Sequence, residues 1–103
     1  MTTVDLNADM GESFGPWKMG DDAALLRVVT SANIACGGHA GDADVMAATM
    51  RMAHENGVGI GAHPGFMDLA GFGRNRMAVP RGTLRNQIRY QVAASVGMAR
   101  SVG

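Results

Sequence analysis

Three times along this chain a short apolar run ends in glycine and then presents polar side chains. Helical spacing fills the intervals between. Ser31–Asp42 is the clearest case: Ser-Ala-Asn-Ile-Ala-Cys leads into Gly37-Gly38, presents His39 and reaches Asp42. Val4–Glu12 runs from Val-Asp-Leu-Asn into Ala-Asp-Met-Gly-Glu, and Gly59–Arg74 from Gly-Ile-Gly-Ala into His-Pro-Gly and Gly-Phe-Gly-Arg. Buried strands that alternate with helices specify an α/β fold with parallel strands and right-handed crossovers. Parallel strands end on one side of the sheet, so their polar tails gather there, where α/β proteins place their sites.

The order predicted is strand, helix, strand, helix, strand, helix. Val4–Leu6 reads as the first strand. A loop over 7–16 follows, anchored by Phe14 and Trp17, and Asp21 or Asp22 caps a short helix through Val29. Ser31–Ala35 is the second strand. Asp42 caps a helix to about Asn56, with Val45, Thr49 and Met52 beside Met46, Met50 and Ala53 at three-and-four spacing, and Asn56-Gly57 as its stop. Val58–Ala62 is the third strand. A glycine-punctuated loop then runs to Val79, and Pro80 opens a last helix whose buried stripe is Leu84, Ile88, Val92, Val96 and Ala99. A closed β/α barrel takes roughly 250 residues; at 103 residues the chain is expected to be the N-terminal part of a larger, TIM-like barrel, a single unit over 1–103.

Zero net charge argues against nucleic acid or a polybasic membrane contact as partner. No apolar run approaches the ~20 residues of a spanning helix, and Met-Thr-Thr-Val-Asp lacks the regions of a signal peptide. The single Cys36 allows no internal disulfide and suits a reducing, cytoplasmic setting. It reads as a small buried hydrophobe, since no basic residue adjoins it.

Candidate chemistry falls into three clusters. Asp5, Asn7, Asp9 and Glu12 form the first; Asp5 within an apolar strand needs a partner, a metal or an acid–base role. Asn33, His39 and Asp42 form the second, with His39 an acid–base or ligand candidate after two glycines and Asp42 a good N-cap. His63, Asp68 and Arg74 form the third; Arg74 suits a carboxylate or phosphate. His39 and His63 on neighbouring strand ends, with Asp5, would suit a His/His/Asp metal site. The tight local spacing of a metal motif is absent, so no metal ligands are assigned. His54 reads as a surface residue. No Gly-x-x-x-x-Gly-Lys-Ser/Thr loop, dinucleotide fingerprint or Gly-x-Ser-x-Gly elbow occurs.

Taken together, Asp5–Glu12, Ser31–Asp42, Gly61–Asp68 and Gly71–Arg74 closely resemble the LamB/YcsF family, as does Tyr90-Gln91. The resemblance covers essentially the whole chain but only the N-terminal portion of longer members. It implies a β/α barrel related to sugar and polysaccharide deacetylases. It also implies ATP-dependent opening of 5-oxoproline to L-glutamate, with ATP as co-substrate and two partner subunits of the 5-oxoprolinase B and C types. On residue chemistry, Asp5, His39 and His63 are then the catalytic candidates, handling protons or water. Asn7 and Asn33 would hold the amide, and Arg74 a carboxylate or phosphate. Asp9, Glu12, Asp42 and Asp68 complete the expected substrate-binding set. The competing expectations are a metal-dependent amide hydrolase of deacetylase type and an inert or self-associating fragment.

Overall fold

A computed structural model describes residues 2–103. Its elements are β1 (Asn7–Met10), α1 (Asp22–Leu25), β2 (Ser31–Ala35), α2 (Ala43–Glu55), β3 (Gly59–His63) and α3 (Arg81–Val102). The strands form one parallel sheet in the order β1-β2-β3. Asn7 pairs with Ser31 and Ser31 with Gly59, while Asp9 pairs with Asn33 and Asn33 with Gly61. Because side chains alternate along a strand, Asn7, Asp9, Ser31, Asn33 and His63 share one face. Met10, Ala32 and Ile34 point the other way and build the core with Met46, Met50 and Ala53 of α2. Ile34 and Met50 are fully buried, each contributing roughly 1.5–3 kcal/mol by burial.

The second and third strands and the long second helix stand where the sequence places them. The first strand does not: it begins at Asn7, after the expected Val4–Leu6. Val4 and Leu6 are 73% and 50% exposed. Leu6 is tied sideways to the sheet, its N–H donating to Thr30 Oγ1 at 2.9 Å, and the paired register starts one residue later. The first helix is a single turn capped by Asp21, which accepts from Ala24 N–H at 3.2 Å; Leu26 to Val28 continue as turns. Phe14 and Trp17 do close their loop, with paired backbone bonds of 2.9 Å and stacked rings.

The last helix is rotated from its expected face. Ile88, Val92 and Val96 are 42%, 37% and 45% exposed, whereas Gln91 and Ser95 are buried. Met98, Ala99 and Val102 complete the inward side. One residue on a helix is a turn of about 100°, so an inward Gln91 carries Ile88, Val92 and Val96 to the flank. The cause is polar: the turns beneath α3 present backbone groups that an amide can satisfy and a valine cannot.

Candidate functional site

The three strand ends do share a rim, and both histidines stand on it. His39 follows β2 through Gly37-Gly38, and His63 is the last residue of β3. Their ring centroids are 4.5 Å apart. His39 is buried and its Nε2 lies 3.1 Å from Glu12 Oε2. Nδ1 of His39 has no partner, so the Glu12 contact at Nε2 is the ring's one polar contact. His63 Nδ1 lies 3.8 Å from Asp9 Oδ1, beyond a direct hydrogen bond.

The expected third member of this group, Asp5, is elsewhere. Its carboxylate accepts hydrogen bonds from Thr30 Oγ1 and from Ser31 Oγ, the latter at 2.9 and 3.0 Å. These hydroxyls hold its pKa below the ordinary carboxylate value. Thr30 and Ser31 sit where β2 begins, so Asp5 lies at the opposite end of the sheet from His39. Glu12 and Asp9 supply the carboxylates that the sequence pattern had suggested in Asp5. Parallel strands run from one edge to the other, and Asp5 precedes β1 whereas Glu12 follows it.

Between these ends runs a ladder of side chains. Ser31 bonds Asp5; Asn7 Nδ2 donates to Ser31 Oγ at 2.9 Å; Asn33 Nδ2 donates to Asn7 Oδ1 at 2.8 Å and to Asp9 Oδ1 at 3.0 Å. Asn7 and Asn33 thus bond each other, and Asn33 orients Asp9 beside His63. Asp42 serves α2: Oδ1 accepts from Val45 N–H at 2.8 Å and Oδ2 from Gly15 N–H at 2.7 Å. The two amides, Gly15 first, lower its pKa. Asp68 organises the loop after β3, accepting from Gly71 N–H at 3.0 Å and Asn75 N–H at 3.3 Å. Burial raises the pKa of Cys36, in keeping with an inert thiol. His54 is exposed on α2.

A cleft of about 490 Å³ opens on this rim. Asp9, Glu12, His39 and His63 form its polar floor, and Arg74 stands at its edge. Phe72, Leu84 and Ile88 give it an apolar side. Phe72 holds φ at 57°, the only non-glycine with positive φ among the described residues. That strained backbone sets its ring edge-on to His39 at 5.3 Å and under the Arg74 guanidinium at 5.8 Å. Neither this aromatic role nor that of Gln91, whose amide meets the loop after β3, was read from the sequence. Gly-Phe-Gly and a glutamine at a helix-face position were the available signals.

A parallel β/α sheet with a histidine–carboxylate cluster on its C-terminal rim makes this an α/β protein with the architecture of a partial β/α barrel and a candidate functional site on that rim. The chain belongs to the LamB/YcsF family, whose family model matches residues 4–103. It is 74% identical over 103 residues to the A-type subunit of 5-oxoprolinase from Ruegeria pomeroyi, spanning 100% of this chain and 41% of that protein. It is 59% identical over 101 residues to the protein of the same name from Methylococcus capsulatus, spanning 98% and 39%. The lactam utilization protein of Thermus thermophilus superposes with a TM-score of 0.93 at 42% identity, covering 97% of this chain and 40% of that one. The chain therefore spans about 40% of the length of these relatives. No described helix is long and apolar enough to cross a membrane.

Proposed function

We infer that this chain carries part of the active site of a 5-oxoprolinase, opening the lactam of 5-oxo-L-proline to L-glutamate with ATP as co-substrate. The observation that carries the reading is the contact of buried His39 with half-buried Glu12 on the cleft, in a chain 74% identical to the A-type subunit of a 5-oxoprolinase. Imidazole is the side chain suited to moving protons near neutral pH. Phosphoryl transfer from ATP to the lactam oxygen makes the carbonyl carbon attackable. Water then adds there, losing a proton to an imidazole on the rim. The C–N bond breaks as the ring nitrogen takes up a proton, leaving a γ-glutamyl phosphate, and a second water displaces inorganic phosphate from it to give L-glutamate. Arg74, the cation at the cleft edge, fits the substrate carboxylate. ATP is the co-substrate of the assembled enzyme, which includes two partner subunits, of B and C type. The lone buried Cys36 fits a cytoplasmic setting.

A second reading is a divalent-metal hydrolase. Ligand atoms of Glu12, His39 and His63 all lie within 4.8 Å of one another, a donor set that suits zinc. Such an ion would polarise the lactam carbonyl and acidify water. Against it, a ligating histidine normally donates its other N–H to a partner, and His39 Nδ1 has none.

Glutamate release from 5-oxoproline, measured with ATP and both partner subunits, tests the first reading. His39→Ala and Glu12→Gln are expected to lower turnover by about 100-fold or more, whereas Asp5→Asn, at the far end of the sheet, retains it. Full turnover in His39→Ala would remove the pair from the chemistry. Stoichiometric metal by mass spectrometry, with ATP-independent activity lost on chelation, would establish the second reading instead.

A further inference from the structure

We propose that Gln91 is a positioning residue for both rim histidines, a clasp that sets the turn after β2 against the turn after β3. The inference rests on the reading of His39 and His63 as the working pair. Gln91 is 0% exposed, and its amide is bonded on both sides. Nε2 donates to Gly65 O at 2.8 Å and to Gln87 O at 3.3 Å, and Oε1 accepts from Gly65 N–H at 3.0 Å. Both backbone groups of Gly65 thus meet one side-chain amide, as they would meet a neighbouring strand. Gly65 lies two residues after His63.

The same amide abuts the other turn. A Cβ added to Gly38, the residue before His39, would come 2.4 Å from Gln91 Oε1. Gly65 in turn touches the second histidine: a Cβ there would come 2.7 Å from His39 Nδ1. The two turns are also joined directly, Asp68 N–H donating to Gly38 O at 3.0 Å. The amide plane is therefore wedged between the backbones that carry the two imidazoles. Its loss frees Gly65, and with it the surface on which the His39 ring rests. A buried backbone N–H and C=O left without partners must find new ones, which moves the turn.

The test is Gln91→Met, which keeps the length and removes the amide, with Gln91→Glu as the same shape carrying an acceptor where the donor was. Imidazole resonances of the full chain are followed by nitrogen-detected NMR at one fixed pH. His54, exposed on α2, is the internal control. Both variants are expected to shift the resonances of His39 and His63 and leave those of His54 unmoved. If Gln91→Met does not fold, Gln91→Glu alone decides. In the assembled enzyme, displacement near 1 Å is expected to lower kcat about 100-fold, with KM little changed. A fall in melting temperature with both rim histidines unmoved, or equal shifts in all three histidines, would overturn the clasp. Altered rim histidines in a chain whose parent has no 5-oxoprolinase activity would overturn the functional reading and leave the clasp standing.

Discussion

Gly65→Ala is a one-carbon change whose effect follows from the packing of the rim. The φ angle of Gly65 is not in the left-handed region, so alanine is allowed by the backbone. Taken alone, the change would stabilise the chain by about 0.4–1 kcal/mol through the unfolded state. Packing opposes it. The new methyl would stand 2.7 Å from His39 Nδ1 and 2.9 Å from its Cβ and Cγ. Reaching ordinary contact at 3.4 Å requires a retreat of roughly 0.7 Å. Gly65 cannot supply it, because Gln91 holds both its N–H and its C=O. The His39 ring must move instead, between His63 at 4.5 Å and Phe72 at 5.3 Å. Overpacking of this kind costs about 1–3 kcal/mol; with both effects at mid-range, about 2 against about 0.7, the net loss is about 1.3 kcal/mol. For a domain this small that lowers Tm by roughly 5–10 °C, read by circular dichroism on heating. The His39–Glu12 contact, now 3.1 Å, changes with it and shifts the His39 imidazole resonances. A Tm at or above that of the parent, with His39 unmoved, would show that the rim has room for the methyl and that Gln91 does not pin Gly65.

Two further outcomes follow from local structure. Gly97 lies inside α3 with open space where a Cβ would stand, so Gly97→Ala is expected to raise stability by about 0.5–1 kcal/mol, measured by urea unfolding. Asp42→Ala removes the cap of α2 and the tether to Gly15 and is expected to cost about 1 kcal/mol at pH 7. The pKa of Asp42 is lowered in the folded state, so its contribution is full above the ordinary carboxylate range and fades as pH falls through the folded value. The difference between parent and variant should therefore narrow in acid; unfolding midpoints compared from about pH 7 to about pH 3 check this.

Much of the frame was legible in the residues alone. Helical spacing from Asp42 to Asn56, and the apolar run Ser31–Ala35 between turn residues, are local signals, and local physics decides them. His39 and His63 were legible as rim residues because strand-then-glycine is a local pattern too. The first strand was misplaced by about three residues because Val4 and Leu6 are apolar enough to imitate one. Pairing with β2, a non-local event, starts only at Asn7. The stripe Ile88–Val92–Val96 misled for the opposite reason. Periodicity reports which face is apolar, and α3 turned instead to satisfy the polar backbone at Gly65.

The residue order thus specifies the alternation of strands and helices, the parallel sheet, and two histidines with several carboxylates at strand ends. Which carboxylate meets which histidine is settled only when the chain has folded. Asp5 and Glu12 are seven residues apart, and a strand between them separates them along its length, placing one at the start of the sheet and the other beside His39. Spacing along a chain fixes the face a side chain shares, but the partner across the rim depends on register and on how far each strand runs, and those are set by contacts between distant residues.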